Sequence, residues 1–358
     1  MAAAREDESL AFGRGYVADI WHFAALSADV RRGALTRRMI CGQPMVLGRT
    51  AAGALFALRD VCPHRAAPLS AGRLTSSDGG PTLECAYHGW RFAPSGTCVA
   101  IPSLASGQEL DLAKIRVRAF PVAERQGLAF VWIGRRLDKP DGPPPTFPAL
   151  ADRRPRFVIR TTFEAHIDHA VIGLMDPAHG PYVHQQWWWR SRASAHEKTK
   201  AFLPREAGFA MTRHAPSSNS RAYRLLGGAP TTEISFRLPA LRWEHVEVGR
   251  HGVLALTCLT PADTATTAVT QIVWSDHPLF AAAGPAIRAA AVRFLRQDGD
   301  MIRLQNLNRD HAGPFLFVDD ADTQAKWYQQ LKRAWAAARA EGRAFSNPLE
   351  PASLRWVS

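Results

Sequence analysis

The chain has 358 residues, 46% of them hydrophobic and 21% charged, enough length for two domains and enough apolar material for sizeable cores. No run of about eighteen uncharged apolar residues occurs, and Glu6-Asp7-Glu8 stand where a signal peptide would carry its apolar centre, so a cytoplasmic protein without a membrane span is expected. The formal charge of +12 asks for an acidic partner. Because the arginines are spread thinly, nucleic acid is disfavoured and electrostatic steering of an acidic protein is favoured. Five cysteines are present, and Cys41, Cys98 and Cys258 show no paired spacing, which fits reduced, buried thiols.

In chain order, Tyr16–Phe23 opens a first domain with alternating aromatic and small residues. Met39-Ile40, Met45–Arg49 and Ala54–Leu58 read as short strands, with Thr50–Gly53 as a hairpin connection. Cys62-Pro63-His64 follows, and a loop of about twenty residues separates it from Cys85-Ala86-Tyr87-His88. Ser76 to Pro81 is a polar, Gly-rich loop. Thr97 to Ile101, Ile115–Phe120 and Leu128–Ile133 are strand-like and close an all-β domain over residues 1–134. Residues 135–156 hold six prolines and read as a stiff linker.

The remaining residues, 157–358, are predicted to form an α+β domain: a central antiparallel sheet flanked by helices. Phe157 to His166 reads as a strand and Ile167 to Leu174 as a helix start. Gly208–Met211, Glu233–Phe236, His251–Leu259 and Ala268–Trp274 supply further strands. A long helix is expected from Pro285 to about Arg309, and a second from Thr323 to Ala340 behind the acidic cap Asp319-Asp320-Ala321-Asp322. Trp327, Tyr328, Leu331 and Trp335 form the apolar face of that second helix.

Two sets of residues carry chemistry. Cys62, His64, Cys85 and His88 offer two soft thiolates and two neutral imidazoles, each half mixing one of each. Zinc sites of the same count group like ligands in Cys-x₂₋₄-Cys and His-x₃₋₅-His pairs. The mixed halves suit instead a two-iron, two-sulfide cluster whose irons differ, with a potential of roughly −150 to +300 mV. Asp176-Pro177-Ala178-His179-Gly180-Pro181-Tyr182-Val183-His184 holds a second pattern, Asp-x₂-His-x₄-His, in which Gly180-Pro181 bends the chain so that two imidazoles can meet one ion. A non-heme iron(II) that activates oxygen needs two His and one carboxylate on one face. Ile287, Ala291, Phe294, Asp298, Ile302 and Gln305 share a helical face, which places Asp298 in an apolar stripe where a carboxylate neutralises, pairs or binds a metal. Asp300, near Arg296 and Arg303, reads as an ordinary ion-pair partner and the substitute ligand. His166, Asp168 and His169 form a competing cluster.

The flanks Cys62-Pro63-His64-Arg65 and Cys85-Ala86-Tyr87-His88-Gly89-Trp90 resemble the Rieske oxygenase family. Leu174–His184 is similar to its helix with two histidine ligands, and Gln297–Gln305 to its acidic helix with the third. The resemblance implies that Cys62, His64, Cys85 and His88 hold a Rieske 2Fe-2S cluster and that His179, His184 and Asp298 hold a mononuclear Fe(II). It makes Asp176 the bridge to the neighbouring subunit's Rieske histidine. Where the family often has Asn before that aspartate, this chain has Gly173. The flanks of the first motif are similar to the α-only branch, which includes vanillate and dicamba demethylases, and Asp176–His179 also resembles the pheophorbide oxygenases. It implies a homotrimeric terminal oxygenase served by a ferredoxin or an NAD(P)H-dependent reductase. Such an enzyme would hydroxylate or oxidatively demethylate a hydrophobic cyclic, aromatic substrate with O2. A ring cis-dihydroxylating dioxygenase is the alternative, and an electron-transfer Rieske protein is the alternative of another class. Trp187-Trp188-Trp189-Arg190 offers an aromatic for core packing or for lining a substrate site.

Overall fold

In the computed structural model, which describes residues 11–77, 79–135, 139–186, 189 and 191–358, the chain divides into two compact units. One spans 18–146; the other spans 147–358 and includes residues 11–17. The boundary therefore falls inside the proline-rich stretch rather than on either side of it. Trp21 Nε1 donates to Gly142 O at 2.8 Å and Arg125 reaches Pro144 O at 3.4 Å, which holds 139–146 on the first unit. Arg156 N donates to Val273 O at 2.7 Å and Trp274 Nε1 to Arg153 O at 2.9 Å, tying the later half to the second. The N-terminal segment departs from expectation in the same way. Gly13 N bonds Asp168 Oδ2 at 2.8 Å, Gly15 O bonds His166 Nε2 at 2.9 Å, and Tyr16 stacks on His166. Tyr16 thus belongs to the second unit, and the first begins with the strand Ile20–Leu26.

The first unit is built from three small antiparallel sheets. Ile20–Leu26, Leu128–Ile133 and Val122–Arg125 form one, and both longer strands are buried throughout because neither face meets water. Leu35–Ile40, Gln43–Arg49, Leu55–Arg59 and Ala119–Phe120 form the second, its hairpin closed by Gly53 N to Thr50 O at 2.9 Å. Arg73–Ser77, Gly80–Glu84, Arg91–Phe92 and Cys98–Ala100 form the third. Ile115–Phe120 pairs as a strand only at Ala119–Phe120. Val46, Leu58, Leu69, Leu83 and Phe92 make a core that also encloses Cys62 and Cys85.

The second unit holds one eight-stranded antiparallel sheet. Its order across the sheet is Phe157–Phe163, Thr267–Ser275, His251–Pro261, Leu241–Val248, Thr231–Arg237, Gly208–His214, Glu197–Arg205 and Ala352–Val357. The helix Ile167–Met175 follows the first strand, and the long helix runs from Gly284 to Asn306. That long helix lies close to the strand Phe157–Phe163: a Cβ on Gly299 would come within 3.1 Å of the Phe163 ring, so the glycine permits the approach. The helix Thr323–Ala340 buries Trp327, Tyr328, Leu331 and Trp335. Asp322 sits at its N-cap but gives the helix no side-chain bond and accepts instead from Val318 N. Among the described residues no helix is long and apolar enough to cross a membrane.

Candidate metal centres

Cys62 and Cys85 each begin a tight loop of the same construction. Ala66 N bonds Cys62 O and Cys62 N bonds Ala67 O; four and five residues after Cys85, Gly89 N bonds Cys85 O and Cys85 N bonds Trp90 O. Both loops need a left-handed residue at the fifth position, supplied by Ala66 at φ 57° and Gly89 at φ 68°. The matched loops bury the two cysteines and leave His64 and His88 half-buried, with ring centroids 4.5 Å apart. Trp90 stacks on His64 at 4.7 Å, fixing the ring plane.

The four side chains fit a cluster with two thiolate and two imidazole ligands. His64 Nδ1 is buried with no hydrogen-bond partner among the described residues, a polar atom that a bound metal would satisfy. Burial and the neighbouring Cys85 push the Cys62 thiol up to about 11, so without metal the proton stays on sulfur. Burial, His64 and Arg65 lower the pKa of His88, which favours the neutral, ligating imidazole. The other cysteines, Cys41, Cys98 and Cys258, are buried free thiols, as expected.

The second centre is assembled from three pieces of chain. The helix Ile167–Met175 ends at Asp176, whose Oδ1 accepts from Ala178 N at 2.6 Å and turns the chain toward His179. A single helical turn, Gly180–Val183 with Pro181 in its first turn, carries the chain to His184. Asp298 comes from the long helix, where it is buried beside Leu295 and Ile302. His179 Nε2 lies 3.0 Å from His184 Nε2, and Asp298 Oδ1 lies 3.4 Å and 3.0 Å from these two nitrogens. Ligands at right angles on bonds of ~2.1 Å would be about 3.0 Å apart, so the three atoms already outline one face of a coordination shell. Among the described residues this is the one group of three such side chains placed to share an ion.

Protons hold the place of a cation when metal is absent. Burial lowers the His179 imidazole pKa, but the neighbouring carboxylates of Asp176 and Asp298 outweigh it and raise it to about 9. Burial raises the Asp298 pKa, and the bonds and charges from His179 and His184 more than offset this, leaving the carboxyl below its ordinary value. His179 Nδ1 is buried without a hydrogen bond, 3.6 Å from Asp176 Oδ2.

Gln297 is a functional side chain that sequence reasoning did not single out. Its Oε1 accepts from Gln186 Nε2 at 2.5 Å and lies 3.1 Å from His184 Nδ1. An acceptor there keeps a proton on Nδ1, so Nε2 is the nitrogen that would give up its proton to an ion at the shared point. Phe294 stacks on the same imidazole at 3.5 Å. Its position beside Asp298 was the available signal for Gln297. Asp300, the substitute ligand, is exposed and pairs with Arg303 at 3.2 Å, away from the triad. The competing cluster does not ligate either: Asp168 accepts from Lys332 Nζ and Tyr328 OH, each at 2.7 Å, while His166 caps the helix through Asp168 N. Trp187, Trp188 and Arg190 lie outside the described residues, whereas Trp189 lines the cavity described next.

The triad opens on a cavity of about 390 Å³. Its helical wall is apolar, with Ile287, Ala290, Ala291, Phe294 and Leu295. Its sheet wall carries Met211, Thr232, Ile234, Arg242, Glu244, Ala255, Thr257 and Gln271.

Residues 20–121 match the family model of the Rieske [2Fe-2S] domain. The first unit is therefore a Rieske domain, and the chain as a whole has the Rieske oxygenase fold. Among curated proteins, the oxygenase component of dicamba O-demethylase from Stenotrophomonas maltophilia is 34% identical over 175 residues, 48% of this chain and 48% of that protein. The 4beta-methylsterol monooxygenase of Methylococcus capsulatus is 34% identical over 173 residues, 48% and 46% of the two chains. Protein TIC 55 of Arabidopsis thaliana is 36% identical over 169 residues, 46% and 30%. The chain thus spans about half the length of the curated relatives it matches, or less. Likeness of fold extends further. Dicamba monooxygenase bound to dicamba superposes with a TM-score of 0.71 at 22% identity over 90% of this chain and 99% of that one. NdmA of Pseudomonas putida CBB5, as the QL mutant with caffeine, gives 0.72 at 19% identity over 93% and 96%.

Proposed function

We propose that this chain is the terminal oxygenase of a Rieske non-heme iron system, taking electrons from a ferredoxin or an NAD(P)H-dependent reductase. With O2 it would hydroxylate or oxidatively demethylate a hydrophobic cyclic, aromatic substrate. One observation carries the reading: His179, His184 and Asp298 converge on the wall of a cavity in a chain whose other unit is a Rieske domain. Iron(II) bound there would supply oxygen activation on the side the three ligands leave open, and the two-iron cluster on Cys62, His64, Cys85 and His88 would supply electrons.

The chain's own residues do the rest. Gln297 holds His184 in the ligating tautomer. Phe294, Leu295 and Ile287 offer a ring-shaped substrate an apolar wall and keep water from the reacting face. We assign Asp176, beside Nδ1 of His179, to link this site with His88 of a neighbouring copy in a homotrimer, so that the electron path crosses a subunit boundary. The net charge of +12 suits an acidic electron donor. Monooxygenation is preferred to ring dihydroxylation because two of the relatives named above are a demethylase and a monooxygenase.

The test is Asp298→Ala. The variant is expected to keep the visible absorbance of the Rieske cluster and lose O2-dependent product formation by at least about a thousandfold, since the ion loses one of three ligands. Retained turnover would mean that another carboxylate serves, and loss of the Rieske spectrum as well would mean that Asp298 acts through folding.

A further inference from the structure

Arg242 sits in the strand Leu241–Val248 and shares one cross-strand row with Thr257 and Gln271. All three side chains line the cavity that holds the triad. Gln271 Nε2 points at Thr257 Oγ1 at 3.5 Å. The other charged groups on this sheet wall have protein partners. Lys198 Nζ donates to Ser358 Oγ at 2.9 Å, and Lys200 Nζ to Ala215 O at 3.4 Å. Glu244 accepts from Tyr223 OH and, at 3.0 Å, from Thr232 Oγ1. Arg242 is half-buried, and among the described residues its guanidinium makes no hydrogen bond and no ion pair.

An arginine cannot shed its proton, and five donors turned into a cavity are unfavourable there unless something accepts from them. The planar fork matches a carboxylate or sulfonate in two parallel bonds. Three cationic side chains and one already engaged carboxylate line this wall, and the other carboxylates of the cavity, Asp176 and Asp298, stand at the triad, so the sheet side is where an anion is favoured. The helical wall facing the same space is apolar, which suits the rest of a ring.

We propose that the substrate is an organic ring acid, a carboxylate or sulfonate, whose anionic group is anchored by Arg242 with Thr257 and Gln271 beside it. This inference rests on the reading of the cavity as the substrate site of an oxygenase. It adds a specificity-determining residue on the sheet: the anion is held there while the ring lies toward His179, His184 and Asp298.

The test is equilibrium binding by calorimetry to the iron-loaded, full-length protein, using acids matched with neutral isosteres. The pairs are 3-methoxybenzoate with 3-methoxybenzamide, cyclohexanecarboxylate with its carboxamide, and benzenesulfonate with benzenesulfonamide. At least one acid is expected to bind about tenfold to a hundredfold tighter than its isostere. Arg242→Met should abolish that preference and Arg242→Lys should restore part of it, with the Rieske absorbance unchanged in both. Which pair shows the preference separates a carboxylate from a sulfonate. No acid preference in the wild-type protein, or one that survives in Arg242→Met, overturns the proposal. O2-dependent product from a neutral isostere, without acid preference, would overturn the anion site and leave the oxygenase reading standing. Acid preference without O2 uptake in the reduced protein would leave the anion site and remove the oxygenase reading.

Discussion

His184 is made a ligand by what its second nitrogen does. Gln297 Oε1 can only accept, so His184 Nδ1 donates to it, and Nε2 is the nitrogen turned toward His179 and Asp298 to take an ion. Gln297→Met removes the acceptor while preserving length. It is expected to weaken iron binding at the mononuclear site tenfold to a hundredfold, a typical effect of losing such a supporting bond. Iron titration of the metal-free protein followed by dialysis reads this directly, and Gln297→Glu should retain most of the affinity. An unchanged affinity in Gln297→Met would show that Phe294 stacking alone orients the ring. Asp298 was legible in the sequence because a carboxylate interrupts an apolar helical stripe. Gln297 was not, because an amide next to a ligand has no periodic signature, and its role follows from a partner 113 positions away.

Elements differed in how plainly they were written. The helix Thr323–Ala340 runs between its predicted ends because its aromatic face repeats at helical spacing. The strands Glu197–Arg205 and Leu241–Val248 were missed, since Lys198, Lys200, Arg242 and Glu244 look like solvated charges until the sheet turns them into a cavity. Likewise, nothing in residues 11–17 announces that they pack on the helix Ile167–Met175, where His169 meets Phe12 edge-on at 4.8 Å. That helix carries a pH-sensitive contribution to stability. Burial, and then the charge of Arg309, lower the His169 pKa from 6.5 to about 4. A depressed folded-state pKa means that the neutral ring is favoured in the fold. Its contribution is therefore fully present above about pH 6.5 and is lost as pH falls through about 4. His169→Gln should flatten the decline of unfolding free energy between pH 7 and 4 by about 3 kcal/mol relative to the wild type, measured by urea denaturation. Parallel declines in the two proteins would show that His169 titrates as if exposed.

At the scale of the whole molecule, the sequence carries two metal-binding patterns about a hundred residues apart, and each lies in its own folded unit. A cluster on Cys62, His64, Cys85 and His88 alone would make an electron carrier, whereas the triad in the second unit makes the chain a candidate catalyst. The most direct test is the iron content of the reconstituted protein, counted beside acid-labile sulfide. About three irons and two sulfides per chain are expected for the wild type, and about two of each for Asp298→Ala. Two irons per chain in both proteins would contradict the account and return the molecule to electron transfer.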